Sequence, residues 1–316
     1  MSIKALGYVV VETAQPDEWD RFLTQFVGVM RVDDAADGAA LYRVDDRVFR
    51  FRIEPGKREW FVAAGYEVAD RATLDALAAR IAAAGRPVEW ASDAEAAGRG
   101  AEAMLRTSDP AGNGLELYCG DARTVVPFVS PIGVPGFVTG EMGMGHAVFS
   151  APNFDETIAF HCEVLGFGQT DMPRFHLFGP DGPSMGFAFL HAANGRHHSI
   201  AFGEGPIPPS GAVHIMLELP NLIEVGKAHD RMKRLGYPES ATLGRHVNDE
   251  TTGFYVQTPS GFDLEIGCDS LVIDPATWET TRHEAISVWG HEWAWQKALK
   301  DQQAQEQQAQ EQGAEA

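Results

Sequence analysis

"DPAGNGLELYCG" (Asp109–Gly120) and "TPSGFDLEIGCD" (Thr258–Asp269) follow one layout. In each, a proline precedes a glutamate at the same spacing, Pro110 to Glu116 and Pro259 to Glu265. Between them a glycine and a leucine stand in register, Gly112 with Gly261 and Leu115 with Leu264. Each stretch begins as a turn and ends as a strand. Two more pairs repeat: "FLTQFVG" (Phe22–Gly28) with "FHCEVLG" (Phe160–Gly166), and "RIAAAGRP" (Arg80–Pro87) with "RMKRLGYP" (Arg231–Pro238). Self-similarity on this scale marks a duplicated packed unit. Two versions of one domain are therefore expected, at residues 1–130 and 140–293.

Each half divides again. "GHAVFS" reads as a strand at 145–150, followed by a helix at 154–165 with Asn153 as N-cap and Glu156 completing a capping box. Short strands fill 174–203, with "GPDGP" as a turn. The pattern restarts with "VHIMLEL" (213–219), a helix at 221–235 capped by Asn221, and strands at 252–257 and 262–267. One strand, one helix and several strands, repeated, predict an α+β chain whose sheets curl around shared interiors. The closing glycines Gly28 and Gly166 read as helix C-caps.

Strand alternation then assigns faces. In "VHIMLEL" the aliphatic Val213, Ile215, Leu217 and Leu219 take the helix side, so His214 faces away from it. In "DLEIG" Leu264 and Ile266 take that side and Glu265 joins His214; in "GHAVFS" His146 and Val148 alternate with Ala147 and Phe149. Two imidazoles and a carboxylate facing one interior form a facial triad, the donor set of non-haem Fe(II) sites with open positions. In the N-terminal half Tyr8 stands near the place of His146, "FVAAGYEV" offers no histidine, and only Glu116 remains. That half is expected to hold no metal.

Composition excludes several classes. The 316 residues carry a formal charge of −20, with a pI near 4.8. Such a surface repels nucleic acid and anionic membranes. No apolar run is long enough to span a bilayer, and "MSIKALGYVV" lacks a signal-peptide layout, so a cytoplasmic protein is expected. Cys119, Cys162 and Cys268 form no CxxC pair and read as small apolar side chains. "WETTRHEAISVWGHEW" is expected to pack back on the body, and residues 299–316, rich in Gln, Glu and Ala, to form a disordered tail.

The motifs "GMGHAVFS", "RHHSIAF", "VHIMLEL", "TLGRHVNDETTGFYVQTPSGFDLEIG" and "RHEAISVWGH" resemble those of the type I extradiol ring-cleavage dioxygenases of the vicinal-oxygen-chelate superfamily, over about residues 5–293. The resemblance implies four βαβββ modules in two barrel-like domains. It implies Fe(II), or Mn(II), held by His146, His214 and Glu265, with His198 as the acid–base residue and His246 and Tyr255 in support. It places Val148, Phe189 and Ala201 in the pocket lining, with Asn248 and Asp249 on a loop over the site. The implied reaction is cleavage of a catechol beside its diol with O2, on a catechol bearing a bulky aromatic or polycyclic group, by a homo-oligomer. His197 reads as an unremarkable neighbour of His198. Val213 departs from the dihydroxybiphenyl-cleaving members, and "HAANGRHH" is one residue longer; both leave the exact catechol open. Two alternatives stand beside this reading: a 2-oxo acid-dependent enzyme like hydroxyphenylpyruvate dioxygenase, and a metal-free aromatic-binding protein of the same fold.

Overall fold

The computed structural model describes residues 1–178, 182–299, 301–302 and 305. Strands β1 (Ile3–Thr13), β2 (Met30–Arg31), β3 (Ala40–Arg43), β4 (Phe51–Pro55), β5 (Trp60–Val68), β6 (Glu89–Trp90), β7 (Ala103–Ser108) and β8 (Gly114–Cys119) form one sheet in the order β2-β3-β4-β1-β5-β8-β7-β6. Helices α1 (Pro16–Arg21), α2 (Arg71–Ala83) and α3 (Asp93–Gly98) lie between these strands in the chain. The second sheet contains β9 (His146–Ala151), β10 (Gly168–Asp171), β11 (Arg174–Phe175), β12 (Met185–His191), β13 (Ile200–Glu204), β14 (His214–Glu218), β15 (Glu239–His246), β16 (Thr252–Gln257), β17 (Asp263–Cys268) and β18 (Ser287–Trp289). Its order is β10-β12-β13-β9-β14-β17-β16-β15-β18, with β11 beside β12, and its helices are α4 (Phe154–Ala159) and α5 (Leu222–Leu235). Apart from β11 and β18, the two sheets have the same order. The chain is thus four βαβββ modules, and in each half the first strands of its two modules, β1 with β5 and β9 with β14, pair antiparallel at the centre.

The repeated motifs explain how the halves join. Arg231 donates through Nε to the carbonyl of Phe26 at 2.9 Å. Arg80 donates through Nε to the carbonyl of Val164 at 2.7 Å. Phe26 and Val164 hold the same position in "FLTQFVG" and "FHCEVLG", so each half's arginine reaches the other half's turn. Those turns correct one expectation. The helix expected at 154–165 is α-helical only to Ala159; Phe160–Leu165 is a π turn, as is Phe22–Val27. The amides of Gly28 and Gly166 reach back five residues, to the carbonyls of Leu23 and His161, with φ of 87° and 85°. An added residue widens the turn, and glycine accepts the left-handed exit. Asn153 also departs from expectation. Its side chain bonds Glu156 and Thr157 side chains and caps no backbone amide, whereas Asn221 accepts from the Glu224 amide as expected.

A buried pair also joins the halves. Asp109, at the start of the repeated turn, faces His161 of the second π turn at 3.2 Å, and both are fully buried. Asn113 donates two more hydrogen bonds to Asp109, each 2.9 Å. Burial opposes ionisation of Asp109, but His161 and Asn113 outweigh it and hold its pKa below the ordinary value. A depressed carboxylate contributes stability above its unfolded pKa, and loses it as pH falls through the folded one. Acid unfolding of the parent should therefore have a component below pH of about 4. Asp109→Ala leaves His161 buried without this partner, and breaking such a pair costs about 3–5 kcal/mol. Urea denaturation at pH 7 and in steps below about pH 4 tests both points: the penalty should be large at pH 7 and shrink as pH falls through the folded pKa of Asp109.

Cys119 and Cys268 are buried and Cys162 is half-buried; all three are free. Of the expected tail, residues 299, 301, 302 and 305 are helical and the others lie outside the described residues. So do residues 179–181 of the expected "GPDGP" turn. Among the described residues no helix is long and apolar enough to cross a membrane.

Candidate metal centre

The central strands of the second sheet run β9-β14-β17. Across them His146, Met216 and Glu265 stand level, and His214 lies two residues from Met216 on the same face of β14. Gly145 makes the approach possible: a Cβ there would fall 1.9 Å from the Met216 carbonyl oxygen. The result is a tight cluster. His146 Nε2 is 3.2 Å from His214 Nε2, and Glu265 Oε2 is 3.2 Å from the first and 3.4 Å from the second. Two ring nitrogens that face each other across a carboxylate oxygen are metal-ligand chemistry. Glu265 Oε1 is buried with no hydrogen-bond partner among the described residues. Donor set and orphaned oxygen both fit a divalent cation.

The surroundings are equally specific. His198 is buried, with its ring centroid 4.0 Å from that of His146. His246 Nε2 lies 2.8 Å from the Tyr255 hydroxyl and 3.6 Å from Glu265 Oε1. Burial lowers the pKa of His146, and burial with neighbouring imidazoles pushes His198 well below the usual range. His246 goes the other way: burial lowers it, but the Glu265 carboxylate and Asp249 raise it to about 9. Glu265 is penalised by burial, yet three imidazoles hold it well below the carboxylate range. Burial and the negative charges of Glu265 and Asp249 drive Tyr255 well above 10.

A cavity of about 210 Å³ opens onto the cluster. Val148, Phe189, Ala201, Asn248 and Asp249 all line it. Sequence reasoning missed Phe175, Phe187, Ile286, Trp293 and Trp295, which extend its apolar wall. Trp293 packs on Tyr255 with centroids 4.8 Å apart. It also missed His291, stacked on His246 at 4.2 Å and held by Ser287 Oγ at 2.7 Å. The repeated aromatic residues near the C-terminus were the available signal. β18 brings them in by adding to the β15 edge.

The equivalent place in the first sheet also borders a cavity, but it carries different groups. By strand register Tyr8 matches His146, Ala63 matches His214, and Glu116 matches Glu265. Tyr8 donates to Glu116 Oε2 at 2.7 Å, and Arg99 and Arg106 donate to the same carboxylate at 2.9 and 3.2 Å. Its charge is satisfied by guanidinium groups, which leave no place for a cation.

Comparison with known proteins agrees with this geometry. Residues 143–266 match the family described as "Glyoxalase/Bleomycin resistance protein/Dioxygenase superfamily", and residues 6–56 match "Dihydroxybiphenyl dioxygenase BphC D1". The biphenyl-2,3-diol 1,2-dioxygenase of Metapseudomonas furukawaii is 38% identical, over 95% of this chain and 97% of that protein. The iron-dependent extradiol dioxygenase of Rhodococcus jostii is 36% identical, over 93% and 98% respectively. The crystal structure of 2,2',3-trihydroxybiphenyl 1,2-dioxygenase from Sphingomonas wittichii superposes with a TM-score of 0.81 at 33% identity, covering 92% of this chain and all of that one. The chain therefore belongs to the extradiol dioxygenases of the glyoxalase and dioxygenase superfamily, and it is an extradiol dioxygenase in fold, sequence and length.

Proposed function

We propose that this enzyme cleaves a catechol carrying a bulky aromatic substituent, with His146, His214 and Glu265 holding a ferrous ion. The observation that carries the reading is the convergence of these three donors at the apolar cavity, within 3.4 Å of one another. Mn(II) suits the same donors. When bound, the metal supplies a template for the diol and O2 and a route for electrons between them.

The chain's own residues do the rest. His198 takes or returns a catechol proton, since an imidazole is the side chain suited to that exchange. The His246 and Tyr255 pair holds polar atoms against a bound diolate. Asn248 and Asp249 shape the polar side of the pocket. Val148, Phe189, Ala201 and the two tryptophans exclude water and receive a flat apolar ring. The relatives named for biphenyl-2,3-diol and 1,2-dihydroxynaphthalene fit such a lining. The domain at 1–130 acts as a structural partner of the catalytic domain at 140–293. Exposed Val125, Val126 and Val129 at the end of the first domain suit a homo-oligomer, and we place the enzyme in the cytoplasm.

Anaerobically purified, Fe(II)-loaded protein mixed with air-saturated 2,3-dihydroxybiphenyl should consume one O2 per substrate and give a yellow ring-fission product. An iron-replete protein that consumes O2 only with a 2-oxo acid would refute the reading. So would a protein that binds the diol but no iron.

A further inference from the structure

We infer that Asp171 and His197 are positioning residues that fix the tautomer of His198 and turn its Nε2 lone pair toward substrate. This rests on the proposed acid–base role of His198.

His197 is no bystander on a surface turn: it is buried, as are His198 and Asp171. His197 Nε2 is 3.1 Å from Asp171 Oδ2, within ion-pair distance, and neither atom has a hydrogen-bond partner among the described residues. His197 Nδ1 is 3.1 Å from His198 Nδ1. A neutral imidazole carries one proton and one lone pair. The carboxylate can only accept, so it draws the His197 proton to Nε2. His197 Nδ1 is then an acceptor, and the His198 proton must sit on Nδ1 to meet it. His198 Nε2 is left bare, as a group receiving a catechol proton requires.

The anchor is rigid. Asp171 ends β10 and also accepts from Thr281 Oγ1, while His283 Nε2 stands 3.4 Å away. Backbone bonds clamp Thr281 to Thr170 and Met172, at 3.0 and 3.1 Å. Thr170 Oγ1 donates to the His197 carbonyl at 2.7 Å. The other nearby carboxylate, Asp249, is 4.0 Å from His198 Nδ1 and accepts instead from the Thr251 amide. It is too far to set the tautomer.

The test is a double-substitution cycle in the iron-loaded full chain. His197→Phe keeps a ring in place but removes the acceptor; Asp171→Asn is the second probe. Each should lower kcat about 10- to 100-fold while KM and iron content stay near the parent's. In a His198→Gln background the same changes should alter kcat less than about twofold, because the group they position is gone. Nitrogen NMR of the zinc-loaded, 15N-histidine-labelled chain should show the Nδ1–H tautomer at His198, and a mixture after Asp171→Asn. Equal losses in both backgrounds, or an Nε2–H tautomer in the parent, would overturn the inference while leaving the role of His198 intact. A His198→Gln enzyme as fast as the parent would overturn that role and this inference together.

Discussion

Glu265→Gln should give a folded protein that no longer retains iron and has lost about a thousandfold or more in kcat/KM, a loss of about 4 kcal/mol in transition-state stabilisation. The substitution is nearly isosteric, so packing changes little. It removes the only negative charge among the three donors and turns an amide NH2 toward ring nitrogens 3.2 and 3.4 Å away. The metal-free variant should be less stable than the metal-free parent at neutral pH, because the imidazoles that hold Glu265 below the carboxylate range favour the ionised folded form and the neutral amide forgoes that contribution. Excess Fe(II) should stabilise the parent, by about 4 kcal/mol at a thousand times its Kd, and leave Glu265→Gln unmoved. Calorimetry with iron analysis measures both. An iron-retaining Glu265→Gln protein with parental turnover would show that the donors are misassigned.

His198→Gln should behave differently. Its ring touches His146 but its nitrogens lie outside the donor cluster, so iron content should match the parent's. Glutamine can hydrogen-bond to a catechol hydroxyl yet cannot take its proton, and loss of a positioned acid–base group costs about 10²- to 10⁴-fold in rate. The drop should fall on kcat rather than KM, since the apolar lining that binds the ring is untouched. Stopped-flow mixing of the anaerobic enzyme–catechol complex with O2 separates binding from turnover. A variant within a few fold of the parent in kcat would remove His198 from the chemistry.

Much of this architecture could be read from residues whose signals are local. Glycine–leucine–glutamate spacing exposed the duplication, and strand alternation put His146, His214 and Glu265 on one face. Other features depend on residues that meet only in three dimensions. β15 carries few aliphatic residues and β10 is four residues long, so neither shows alternation strong enough to read. Asp171 looks like a strand-end acid in sequence; its meaning comes from His197 and Thr281, far along the chain. The guanidinium groups that neutralise Glu116 lie on α3's C-terminal edge and on β7, and no motif links them to it. The π turns escaped because one added residue leaves the apolar periodicity intact over so short a span.

The register of β14 between β9 and β17 also sets an order of events during synthesis. His214 lies 68 residues beyond His146, and Glu265 arrives only with β17. The outer strands do not pair with each other; β14 lies hydrogen-bonded between them. Closing contacts of such long loops comes late in folding. A nascent chain emerging from the ribosome thus has no preformed cradle for ferrous iron, and the ion cannot nucleate the domain. On the proposed ligand set, metal capture would follow completion of the C-terminal half rather than precede it.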